Sequence, residues 1–123
     1  MKQDGITMSA QIPKKIQDQL GRFEQIKTQL QIIMNQKSEA DASKREMEMA
    51  IKALEERKEG DVYRRVGELL IKVEDVDALK KKLEDDLETM TVRLGSMEKQ
   101  EESLKKMYES LGNEINEALK GYQ

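Results

Sequence analysis

Asp61–Val73 reads DVYRRVGELLIKV, and the fold of the chain turns on how these residues are read. Val62, Tyr63 and Val66 lead into Gly67-Glu68, and Leu69, Leu70, Ile71 and Val73 lead out again. A two-residue connection with glycine first predicts a type II′ hairpin, because glycine accepts the positive φ that this turn demands. The turn sets Val66 opposite Leu69, Arg64 opposite Ile71, and Val62 opposite Val73. One face then carries Val62, Arg64, Val66, Leu69, Ile71 and Val73, and the other carries Tyr63, Arg65, Leu70 and Lys72. A two-stranded hairpin is marginal in water and leaves unpaired backbone groups along both edges. The remaining sequence supplies no further strand pattern, so the hairpin reads as an assembly device completed by other chains. Val62, Val66, Leu69, Ile71 and Val73 are its expected buried set, with Arg64 at a rim.

Outward from the hairpin, helical periodicity takes over on both sides. Towards the N-terminus, steps of four and three pick out Ile12, Ile16, Gln19, Phe23, Ile26, Leu30, Ile33, Lys37, Ala40, Lys44, Met47, Ile51 and Leu54. Gln19, Lys37 and Lys44 are the polar members of an otherwise apolar coiled-coil stripe. Pro13 suits the first turn of this helix, and Gly60 suits its C-terminal cap. Beyond the hairpin, Asp75 and Asp77 are candidate N-caps. The second stripe follows as Leu79, Leu83, Leu87, Met90, Leu94, Met97, Glu101, Leu104, Tyr108, Leu111, Ile115 and Ala118, with Glu101 its polar member. Each helix is about 45 residues, roughly 65 Å long.

Equal lengths around a short reversal predict an antiparallel pairing in which Leu54 meets Leu79, Leu30 meets Leu104 and Phe23 meets Leu111. Lys37 and Glu101 then come within about a turn of each other, where polar seam residues help set register. Gly21, Gly95 and Gly112 each cost about 1 kcal/mol of helix propensity. Gly21 and Gly112 are expected at one level, off the seam, near an open end. The expected organisation is a single domain: a leader over 1–11, a helix over 12–59, the hairpin over 61–74, a second helix over 76–120 and a tail over 121–123.

Composition supports this mainly α architecture. In 123 residues, hydrophobic content is 37%, charged content 38% and aromatic content 3%. That is too lean for a compact globule but sufficient for helices that bury narrow stripes. The net charge of -3 disfavours a nucleic-acid partner, which calls for a concentrated basic surface. Lys80-Lys81-Lys82 reads as a solvated helix face. Cysteine and histidine are absent, which removes disulfides, thiolate or imidazole metal ligands and neutral-pH bases. No catalytic residue, metal site or cofactor is expected. The N-terminal segment lacks the apolar block of a signal peptide, and no apolar run is long enough to span a membrane, so a cytoplasmic setting is expected.

Three stretches together resemble the prefoldin family: VYRRVGELLIKV at Val62–Val73, QLGRFEQIKTQLQIIMNQK at Gln19–Lys37, and LKKKLEDDLETMTVRLGSMEKQEESL at Leu79–Leu104. The hairpin core between two equal heptad arms is the specific part, since the helices alone are similar to many coiled coils. Room for one hairpin makes the chain similar to the β-type subunit of archaeal kind. The resemblance implies a hetero-hexamer with α-type subunits and further copies of the chain, in which the hairpins close β-barrels. It also implies ATP-independent capture of unfolded polypeptides at the coiled-coil tips and delivery to a group II chaperonin.

The apolar residues near the helix ends, Met8, Ile12, Ile16, Leu20, Leu111, Ile115, Leu119 and Tyr122, are the candidate client-binding set. The bland reading of the same residues is that they zip the two helices together. Two other classes compete with the chaperone. One is a structural or tethering coiled coil dimerised through its hairpin. The other is a helical arm of a larger enzyme, such as an RNA-binding arm of a tRNA synthetase, which the acidic charge and complete hairpin disfavour.

Overall fold

The computed structural model describes residues 12–122. Helix α1 spans Lys14–Glu56, strands β1 (Tyr63–Val66) and β2 (Leu69–Lys72) follow, and helix α2 spans Val76–Tyr122. The two strands form one antiparallel hairpin with Val66 opposite Leu69, Arg64 opposite Ile71 and Tyr63 opposite Lys72. The Val73 amide donates to the Val62 carbonyl at 2.8 Å, which continues the expected register one pair further. Gly67 has φ 62°, and no non-glycine residue has positive φ. Positive φ at the first central residue alone distinguishes a type II′ turn from type I′, which needs it at both.

The helix ends show what local chemistry decides. Asp75 is the N-cap of α2: its Oδ1 accepts from the Ala78 amide at 3.0 Å, and Asp77 lies in the first turn instead of capping. Pro13 sits one position earlier than expected, since its carbonyl accepts from the amides of Ile16 and Gln17 and so begins α1 as the capping residue. Helix α1 stops at Glu56 instead of continuing to residue 59. Leu54 is the last stripe residue it can bury. Beyond it, Arg57 donates to the Gly60 carbonyl at 2.9 Å, and Gly60 turns the chain with φ 105°. At the other terminus Gly121 does not close α2. It lies within the helix and lacks the positive φ of a capping glycine.

Every described member of both stripes is buried or half-buried, polar members included, while most residues between them are exposed. The described residues divide into two compact units. A heptad side chain touches only what lies within about a turn of it, so distant parts of the stripes pack independently. The hairpin unit is Gln36–Met97, and the terminal unit joins residues 12–35 with 98–122. In the hairpin unit Ala40, Ile51 and Leu94 are buried, and Lys80 pairs with Glu55 at 3.5 Å. That pair takes Lys80 out of the solvated face expected for the lysine run and matches the expected level of Leu54 with Leu79. The terminal unit contains the buried cluster Ile26, Leu111 and Ile115, with Phe23, Leu104, Tyr108 and Leu119 packed against it.

Candidate functional site

Two regions carry the residues singled out from the sequence. The first is the hairpin, where alternation and the glycine turn place apolar side chains on both faces. All eight strand residues are exposed. On one face Val66 and Ile71 are exposed and Leu69 is 64% exposed; on the other Tyr63 is 54% and Leu70 70% exposed. Val62 and Val73, just outside the strands, are half-buried. Within this chain the expected buried set is therefore uncovered, apart from that flanking pair. Charged contacts hold the margins: Lys72 reaches Asp61 at 3.7 Å, and Arg65 Nε donates to the Gly67 carbonyl at 3.1 Å.

The second region is the terminal unit, where α1 and α2 segments run antiparallel. Of the candidate client-binding residues, Ile16, Leu111 and Ile115 are each about 5% exposed and close the seam, while Ile12 and Leu119 are half-buried. Leu20 is exposed at 40%, Tyr122 is the last residue of α2, and Met8 lies outside the described residues. Most of the described set thus packs against itself in the closed unit.

Phe23 fixes the register here. Its ring stacks on Tyr108 with centroids 4.3 Å apart and planes 19° from parallel. Its Cε1 also lies 3.3 Å from where a Cβ on Gly112 would stand. Phe23 therefore sits between Tyr108 and Gly112, the level at which Leu111 was expected. Gly112 is half-buried against this ring instead of off the seam. Its missing side chain makes room for an aromatic knob, whereas Gly21 is exposed and a Cβ there would meet nothing within 4 Å among the described residues.

Two features of this unit escaped the sequence reading. An open cleft of about 780 Å³ is lined by Pro13, Lys15, Ile16 and Gln19 from one side and by residues including Ser110, Glu114 and Ala118 from the other. Gln19, a polar member of the stripe, has its Oε1 buried without a hydrogen-bond partner among the described residues. A glutamine among aliphatic seam positions was the available signal. Glu101, the polar member of the second stripe, is nearly buried in the seam as expected, and Lys105 approaches it at 4.0 Å. Among the described residues no helix is long and apolar enough to cross a membrane, and no group of acidic side chains is placed to hold a metal ion.

Comparison with known proteins gives concordant matches. The family model for prefoldin subunits matches residues 17–122. The prefoldin β subunit of Methanococcoides burtonii is 36% identical over 91% of this chain and 96% of its own length. That of Methanosarcina acetivorans is 37% identical over the same shares. The crystal structure of the prefoldin β subunit from Thermococcus strain KS-1 superposes with a TM-score of 0.76 at 32% identity, covering 88% of this chain and 95% of that one.

Proposed function

The chain belongs to the prefoldin family, and from that membership we propose that it is the β-type subunit of a hetero-hexameric, ATP-independent holdase. The observation that carries the assembly half of this reading is the hairpin. Leu69, Leu70, Ile71, Val66 and Tyr63 are exposed on its two faces, and its backbone edges lack a third strand among the described residues. Exposed apolar strands with open edges are a liability unless other chains pair with them. Addition of strands from α-type subunits and from further copies of this chain would close the sheet and bury both kinds of surface.

The client half rests on the terminal unit. Its apolar seam is narrow, and when the helix ends part, Ile12, Ile16, Leu20, Ile115 and Leu119 offer a surface suited to an unfolded polypeptide. Such holding needs no covalent step and no cofactor, because apolar burial is non-directional and reversible. Delivery to a group II chaperonin and a cytoplasmic setting follow from the family role.

Two measurements test the reading. Mixing the chain with an α-type, two-hairpin subunit should yield a hetero-hexamer by native mass measurement. A homodimer that ignores the partner would favour a tethering coiled coil instead. Removing residues 1–20 and 112–123 should abolish suppression of client aggregation while the hairpin still assembles.

A further inference from the structure

We propose that Gln19 is a gate residue that keeps the terminal unit only marginally closed, an inference that rests on reading this unit as the client-binding end. Gln19 occupies the stripe between Ile16 and Phe23, where α1 turns its side chains towards α2. Its carbonyl Oε1 is buried and, among the described residues, accepts no hydrogen bond. When the helices part, water can reach it through the adjoining cleft lined by Ile16, Ser110, Glu114 and Ala118. An unsatisfied buried carbonyl shifts such an equilibrium towards opening by roughly ten- to a hundredfold.

Neighbouring features act in the same direction. Gly21 lies two residues further along α1, exposed, where a Cβ would meet nothing within 4 Å among the described residues, so it weakens the helix without making room for a neighbour. The residues released on opening include Ile16, Ile115 and Leu119, which the closed seam and an unfolded apolar segment must share. Client affinity then scales with the fraction of open unit. Gln19 sets that fraction, whereas a leucine or methionine in its place would lock the seam.

The test compares Gln19→Met, which is similar in size and lacks the carbonyl, with Gln19→Ala and Gly21→Ala in the full chain. Native-state hydrogen exchange of the amides in residues 16–26 and 108–119 reports the opening. Gln19→Met should slow it by about tenfold or more. Gln19→Ala, which removes the carbonyl without adding apolar surface, should not speed it. Gly21→Ala should slow it several-fold. Capture of reduced, carboxymethylated α-lactalbumin by the chain assembled with its α-type partner should weaken in step with the slowing.

Unchanged exchange in Gln19→Met, or faster exchange in Gln19→Ala, would mean the carbonyl carries no cost and would overturn the gate. Slowed exchange with undiminished capture would overturn it too. Deleting residues 112–123 separates this from failure of the underlying reading. Capture that survives the deletion removes the terminal unit from client binding altogether. Capture lost on deletion but unaffected by Gln19→Met and Gly21→Ala, despite slowed exchange, removes the gate alone.

Discussion

Leu69 in the hairpin is 64% exposed and Leu111 in the terminal unit is 5% exposed, although each belongs to the set of apolar residues its element is expected to bury. The difference lies in what the chain itself provides as a partner. In the terminal unit each apolar stripe finds the other, so Ile26, Leu111 and Ile115 are covered by residues of the same chain. The hairpin has two short strands with apolar residues on both faces, and a two-stranded element covers neither. One region is complete within the chain. The other is incomplete within the chain, and on the proposed reading other chains close it while the terminal unit opens to hold a client.

The sharpest way to break this contrast is at the hairpin. Ile71→Asp places a charge on the face that assembly should bury, at a cost of several kcal/mol for an unpaired buried carboxylate. Native mass measurement should show loss of the oligomer, with the helical circular-dichroism signal largely retained. An intact hexamer after this change would mean that the hairpin is not the joint.

In the terminal unit the corresponding change is Ile26→Ala, which empties part of the buried cluster. It should cost about 2–5 kcal/mol, read as faster hydrogen exchange in residues 104–119. Assembly through the hairpin should persist, so the two substitutions should separate the two regions by their effects.

The smallest expected effect distinguishes two glycines. Gly21→Ala fills open space and should stabilise the terminal unit by about 1 kcal/mol through helix propensity. Gly112→Ala brings a methyl group to 3.3 Å from the Phe23 ring, which the stack on Tyr108 holds in place. Its propensity gain should therefore be cancelled or reversed, and Phe23→Leu should restore it. Equal stabilisation by both alanines, measured by thermal denaturation, would show that the ring yields freely.

Much of this is legible in the sequence alone. Period-two alternation and a glycine-first turn settle the strand register, because a shift by one residue would exchange the two faces of every side chain. The heptad stripes were equally readable: each described position marked from Ile12 to Leu54 and from Leu79 to Ala118 is shielded, including Lys37, Lys44 and Glu101. The capping role of Asp75 follows from the chemistry of a carboxylate before a helix. The end of α1 was less legible, since charged residues 55–59 are acceptable helix formers and only the loss of anything to bury stops the helix at Glu56.

By itself, then, the sequence determined the elements, their order, the hairpin register and the inward faces of both helices. These depend on local periodicity, turn chemistry and capping, which act over a few neighbouring residues. Only the tertiary structure decided that Gly112 makes room for Phe23, that Phe23 stacks on Tyr108, that Lys80 reaches Glu55 and that Gln19 buries a carbonyl left unpaired among the described residues. Each of these depends on the rotation and sliding of one helix against another. A shift of a single residue there exchanges an empty space for a ring, or a satisfied oxygen for an orphan.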